Sequence, residues 1–137
     1  MKQAIETGIP RHERPFEWAI VANGTLYAVA APIKADGEVE RGEISAQAKL
    51  TLGNLSKCMT AAGGSMADVT QVMLYVTQRS HIEPINTEWA KAFPKPYPTR
   101  ATVIVSEIGI EGIGLVITAQ GCIATKSPQP HASDVWR

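Results

Sequence analysis

The chain has only two cysteines, Cys58 and Cys122. One pair is too few for the disulfide framework of a small secreted domain, and its spacing is not that of a zinc site. Both are therefore expected to be reduced and buried. No apolar run approaches the ~20 residues that a membrane-spanning helix needs. The opening residues, MKQAIETGIPRHERP, lack the apolar core of a secretory signal, so the default expectation is the cytoplasm. Neither sign of charge is in excess, with 13 Lys and Arg against 13 Asp and Glu. That balance argues against nucleic acid or anionic membrane as a partner, since both select a positive surface. No carboxylate pair or His/Cys cluster has metal-ligand spacing, and there is no phosphate-binding loop or dinucleotide fingerprint. No metal or other cofactor is expected. His12, His81 and His131 lie far apart and beside no Ser or Cys in a triad pattern, so none is assigned catalysis.

What is present fits one α/β domain spanning all 137 residues, with a core from about 14 to 124 and a tail from 125 to 137. Residues 1–15 read as an irregular lead-in. Asn23-Gly24 lies between two β-prone runs, Ala19–Ala22 and Thr25–Val29, the pattern of a two-residue hairpin. Ile44, Ala48, Leu52, Leu55, Met59 and Ala62 then recur at spacings of four and three, one face of a long helix. Gln47, Lys49, Asn54 and Lys57 mostly fall off that stripe. Gly63-Gly64 supplies a left-handed stop. Alternation over 69–77 predicts a strand. Ser80 is placed as the N-cap of a second helix, with Pro84 in its first turn and Ile82, Ile85, Trp89 and Phe93 as its apolar face. Strands over 99–105 and 115–124 complete the order β-β-α-β-α-β-β. Two amphipathic helices cover one face of a mixed sheet. No helix is left for the other face, which carries side chains such as Val29 and Val103. A second subunit is expected to cover it, in a closed cyclic assembly.

Beyond this pattern, the hairpin 18–31, the helix ending in Ala62-Gly63-Gly64, the strand 69–77, Ile85-Asn86-Thr87-Glu88-Trp89 and Tyr97-Pro98-Thr99-Arg100-Ala101-Thr102-Val103 follow one another in a known order. Over roughly 14–124 the chain resembles the Rid/YjgF family of imine and enamine deaminases, also called endoribonuclease L-PSP-like, and looks like a divergent member. The resemblance implies a chorismate-mutase-like fold, a homotrimer and three clefts between subunits. It also implies that the arginine at position 100 grips a substrate carboxylate. Three family groups are missing. The usual tyrosine falls on Phe16, the serine of Val-Ser-Gly-Gln is lost in Val29-Ala30-Ala31-Pro32, and the water-positioning glutamate falls on Thr118, or on Ala119 if the last strand aligns one residue on.

Arg100 carries a planar fork that matches a carboxylate with two parallel hydrogen bonds. The plain alternatives are a solvated strand-end arginine or a pair with Glu107 or Glu17. Asn86 places an amide at the same cleft, or simply sits one residue off an apolar stripe. Thr102, two residues beyond Arg100, shares its strand face and offers a hydroxyl, though a strand threonine needs no such reason. Thr118 and Gln120 share a face of the last strand and are the polar replacements for the missing carboxylate. Neither titrates near neutral pH, so neither is a general base. Phe16 and Trp18 read either as an apolar wall of the site or as hairpin packing. Glu17, the only acid near the first motif, faces either the cleft or water, with water preferred.

The expected function is a deaminase that hydrolyses small carboxylate-bearing enamines or imines to keto acids and ammonia. Its substrates would be 2-aminoacrylate-like, or dicarboxylates such as an aminomuconate with Arg14 or another base-side residue on the second acid group. Arg100 and Thr118 are the candidate catalytic residues, and Arg100, Phe16, Asn86, Thr102 and Gln120 the substrate contacts. The rival is a trimeric, non-catalytic module that binds keto acids. An RNA-cleaving activity, attached to some relatives, fits poorly with zero net charge and no basic stripe.

Overall fold

A computed structural model describes residues 1–123. The tail read from residue 125, the last residue assigned to the final strand, Ala124, and His131 lie outside the described residues. The elements are β1 (Gln3–Ala4), β2 (Ala19–Ala22), β3 (Thr25–Ala30), α1 (Ile44–Ala61), β4 (Val69–Val76), α2 (Ile82–Ala92), β5 (Thr99–Ile104) and β6 (Leu115–Cys122). They form one sheet in the order β1-β2-β3-β6-β4-β5, in which only β4 and β5 run parallel. The hairpin turns where its sequence says it should. Asn23 and Gly24 both take positive φ, 52° and 77°, as a type I′ turn requires.

Helix α1 ends as the Gly pair predicts. Gly63 has φ 90°, the Gly63 N–H donates to the Thr60 carbonyl at 3.0 Å and the Gly64 N–H to the Met59 carbonyl at 2.8 Å. These are the two bonds of a Schellman stop. Helix α2 starts differently from expectation. A single 3₁₀ turn, Arg79–His81, precedes it, and His81 holds the cap position without a side-chain cap. Ser80 lies inside that turn, where its hydroxyl donates to Gln78 Oε1 at 3.3 Å, so it is not the N-cap.

The buried side chains lie between the helices and one sheet face. Leu26, Ala28 and Ala30 of β3, Val72, Leu74 and Val76 of β4, and Leu115, Ile117 and Ala119 of β6 meet Ala48, Leu52, Leu55 and Met59 of α1 and Ile85 and Trp89 of α2. The alternate residues of the same strands face away from the helices. Register lines them up as rows: Ile20, Tyr27, Gln120 and Gln71 in one, and Val29, Thr118, Met73 and Ala101 in the next. This is the uncovered face that the sequence anticipates.

The lead-in is more ordered than its composition suggests. β1 pairs with β2, and Ile9 is buried. The Trp18 indole N–H donates to the Pro10 carbonyl at 3.1 Å, so this side chain packs against the lead-in. Two of the α1 polar residues expected off the apolar stripe, Gln47 and Asn54, are also buried. Asn54 donates to the carbonyls of Ala31 and Ile33, both at 2.9 Å. Gln47 accepts from the Gly114 N–H at 2.7 Å and donates to the carbonyls of Gly42 and Gly112. They tie two loops to the helix, satisfying backbone groups that no strand reaches. Asn54→Leu is therefore expected to cost roughly 1–3 kcal/mol of stability, through two carbonyls left without a donor, as read by urea denaturation.

The cysteines divide. Cys58 is fully buried in α1, whereas Cys122 is exposed at the end of β6, where the sheet face is open, so the expectation that both are buried fails for Cys122. Burial pushes the Cys58 thiol up to about 11. A folded-state pKa above the unfolded one means the folded protein holds its proton longer. The Cys58 contribution to stability is then complete below about pH 9 and lost as pH rises toward about 11. In denaturation series across that range, Cys58→Ala should flatten the decline.

Candidate functional site

Strand β5 is the sheet edge, and its parallel register with β4 fixes where each side chain goes. Arg100 pairs with Val72, Thr102 with Leu74 and Ile104 with Val76, so all three lie on the helix side. At the edge, Arg100 meets the exposed flank of α2 instead of the core. Its Nη2 donates to Asn86 Oδ1 at 2.7 Å, and its guanidinium carbon sits 4.7 Å from the centre of the Trp89 ring. Asn86 and Trp89 are three residues apart on α2 and so present one clamp, an acceptor beside an aromatic face. Asn86 in turn donates weakly to Glu83, at 3.5 Å.

Half-burial pulls the Arg100 pKa below its ordinary value, and the charge of Glu83 partly offsets that. The group stays cationic throughout the physiological range. Among the described residues Arg100 makes no salt bridge, with Glu107 and Glu17 included. One edge of the guanidinium is thus held, and the cation is partly desolvated without being neutralised.

The other candidates lie on the opposite face. A cavity of about 710 Å³ opens on the uncovered sheet surface. Its floor is Tyr27, Val29, Gln71, Met73, Thr118 and Gln120, and the segment carrying Arg14, Phe16 and Glu17 forms one wall, with Lys2 at the rim. Phe16 stays 40% exposed, with its ring 4.1 Å from that of His12 and 5.4 Å from that of Trp18. Trp18 does not line this cavity. Glu17 is exposed, as expected, but it also lines the cavity wall.

The candidates therefore fall into two groups. Arg100, Asn86 and Thr102 share the helix side of the β5 edge. Phe16, Thr118 and Gln120 share the cavity. Strand alternation keeps the groups apart, because Thr118 is in register with Met73 and not with Val72. A single chain does not bring Arg100 and Thr118 into one pocket. Two contributors escaped the sequence reading. Trp89 was assigned only to the core, although its three-residue spacing from Asn86 was visible. Tyr27, 42% exposed on the cavity floor, had no signal beyond strand alternation.

A family model described as endoribonuclease L-PSP matches residues 8–119. The chain belongs to the Rid/YjgF family. A RutC family protein of Pyrococcus horikoshii is 32% identical over 112 residues, covering 79% of this chain and 88% of the relative. The 2-iminobutanoate/2-iminopropanoate deaminase of Dermatophagoides farinae is 26% identical over 111 residues, covering 78% of this chain and 86% of the relative. The crystal structure of the Rid family protein YyfA from Yersinia pestis superposes with a TM-score of 0.84 at 27% identity, over 90% of this chain and all of that one. Another relative, mmf1 of Schizosaccharomyces pombe, is named as mitochondrial, so Rid/YjgF membership does not fix a compartment. Among the described residues no helix is long and apolar enough to cross a membrane.

The Arg100 clamp can be checked without a substrate. Asn86→Leu should release the guanidinium, seen as loss of slowly rotating Arg100 Nη resonances in side-chain NMR. Asn86→Asp, which keeps the acceptor oxygen, should preserve them.

Proposed function

We propose that this chain hydrolyses small carboxylate-bearing imines, or their enamine tautomers, to keto acids and ammonia in a cleft completed by a neighbouring copy. The observation that carries the proposal is Arg100, held by Asn86 and stacked on Trp89, half-buried and with no carboxylate partner among the described residues. Such a cation is suited to an organic acid arriving with its own carboxylate, which takes a planar fork in a fixed orientation. The named activity of the Dermatophagoides relative, a deaminase of 2-imino acids, supports the same chemistry.

The second copy follows from the two-sided layout. The edge strand β5 carries the carboxylate clamp, and the open face carries Phe16, Thr118 and Gln120. Setting the edge of one copy against the open face of the next unites the groups, covers the apolar row of Val29, Met73 and Ala101, and closes as a ring of three. The carboxylate would rest on Arg100 while the neighbour's Thr118 and Gln120 offer polar contacts to water. Holding water beside the C=N carbon accelerates a reaction that already runs unaided, so proximity carries most of the effect.

A second reading has its own support. Thr118 stands where the family resemblance places a glutamate, and a threonine does not titrate near neutral pH. A pocket without that acid suits a keto-acid binding module. One experiment separates the readings. An amino-acid oxidase acting on alanine generates the imine, the protein is added, and release of pyruvate and ammonia is followed above the buffer rate. Acceleration is expected. No acceleration, together with calorimetric binding of pyruvate, would establish the binding module.

Arg100→Ala should lose roughly 2–5 kcal/mol of carboxylate binding with the assembly intact by solution scattering. Mixing Arg100→Ala with a Thr118→Trp variant, each inactive alone, should recover activity after subunit exchange. Failure of the exchanged mixture to recover any activity counts against a shared cleft.

A further inference from the structure

The deaminase reading leaves one group unassigned, the carboxylate that takes a proton from the attacking water. We propose that Glu17 supplies it, in place of the acid that Thr118 lacks; the proposal rests on the deaminase reading. Glu17 lines the same cavity as Thr118 and Phe16, and no other Asp or Glu does so among the described residues. Its carboxylate forms no salt bridge there, so it is not committed to a structural pair. The wall that carries it is short and anchored. Trp18 beside it is pinned to Pro10, and Ala19 begins β2. Glu17 therefore projects from a fixed support.

The chemistry balances with water alone. The substrate enters as the protonated imine. Water oxygen bonds to its carbon as Glu17 takes one of the water's protons, and the C=N π pair becomes the lone pair of a neutral amine nitrogen. Glu17 then returns that proton to the nitrogen. The hydroxyl of the carbinolamine gives its proton back to Glu17 as the carbonyl forms, the C–N bond breaks and ammonia leaves; Glu17 releases the last proton to solvent. No oxidant, metal or second reactant enters. A carboxylate acting in both directions is what a general base and then general acid must be. The charged and titratable groups around it are Arg14 and Lys2 in the same cavity, Tyr27 on its floor, and Glu6, Arg11 and His12 in a shallow adjoining cleft that Glu17 also lines. Arg14 and Lys2 attract an anionic substrate.

The test is Glu17→Gln in the full chain, with the alanine-derived imine as substrate and pyruvate as the binding probe. The expected result is a roughly 10²-fold fall in kcat, loss of the acid-side limb of the pH–rate profile, and pyruvate affinity within a few-fold of the starting protein. Glu13→Gln removes a charge from the same segment outside the cavity and should leave the rate unchanged. A Glu17→Gln variant with full kcat and an intact acid limb overturns the proposal. So does one whose loss is confined to KM, which would make Glu17 a binding group. Inactivity of the unsubstituted protein on the imine is a different result, because it removes the deaminase reading itself.

Discussion

Neighbouring positions on a strand send side chains to opposite faces of a sheet, and in this chain that rule separates the candidate chemistry. Arg100 is in register with Val72 and lies with the helices, while Thr118 is in register with Met73 and lies on the bare face. No rotamer carries a side chain through a paired sheet. Any reaction that needs both groups must therefore draw them from different copies. The position of β5 makes this feasible. As an edge strand it can present a helix-side residue laterally, past the end of the sheet, where a central strand would bury it.

The edge position also sets the electrostatics. A cation at the centre of this sheet, beside Val72 and Leu74, would require a buried counter-ion. At the rim, Arg100 stacks on Trp89 and gives one N–H to Asn86. Both contacts orient the fork without cancelling its charge. A neutral amide is the better tether here than an acid. A carboxylate at position 86 would form an ion pair that an incoming substrate must first displace. Glu83 is nearby, but it reaches only the far side of Asn86. The arrangement resembles pre-organisation more than a structural ion pair, since the ordering of the long side chain is settled before any ligand arrives.

The sequence was most legible where local rules operate alone. Asn23-Gly24, the α1 stripe and the Gly63-Gly64 stop act through backbone conformation and a 3.6-residue period, and each stands where it was read. Legibility fell where partners distant in sequence decide. β1 exists because β2 offers it an edge, which residues 1–15 do not announce. Gln47 and Asn54 look like surface residues until two loops fold back and their carbonyls need donors. Ser80 is a good cap by type, but a 3₁₀ turn shifts the helix start past it. Cys122 has the burial tendency of its residue type and ends on an open face. In the site, the motif around Arg100 was readable. Its support by Trp89 was not, because an aromatic at an apolar position satisfies the core reading first.

The departures at Phe16, Ala30 and Thr118 look severe only if the protein must supply a large acceleration. Imines of this kind add water readily, so most of the barrier left to a protein is positional. In the proposed reaction, grip on the carboxylate would fix the electrophilic carbon, and a walled cavity on the neighbouring face would limit where water can stand. Neither task requires a particular side chain at 118. What the chemistry does require is somewhere for a proton to go, and a hydroxyl or amide does not fill that role near neutral pH. The relevant comparison is therefore between positions on one cavity wall, not between presence and absence of a motif. On the proposed reaction, a carboxylate displaced along the chain, yet lining the same cavity, would serve the same proton. The floor residue at 118 is then free to be neutral, and the cavity retains a net positive lining that an anionic substrate meets on entry.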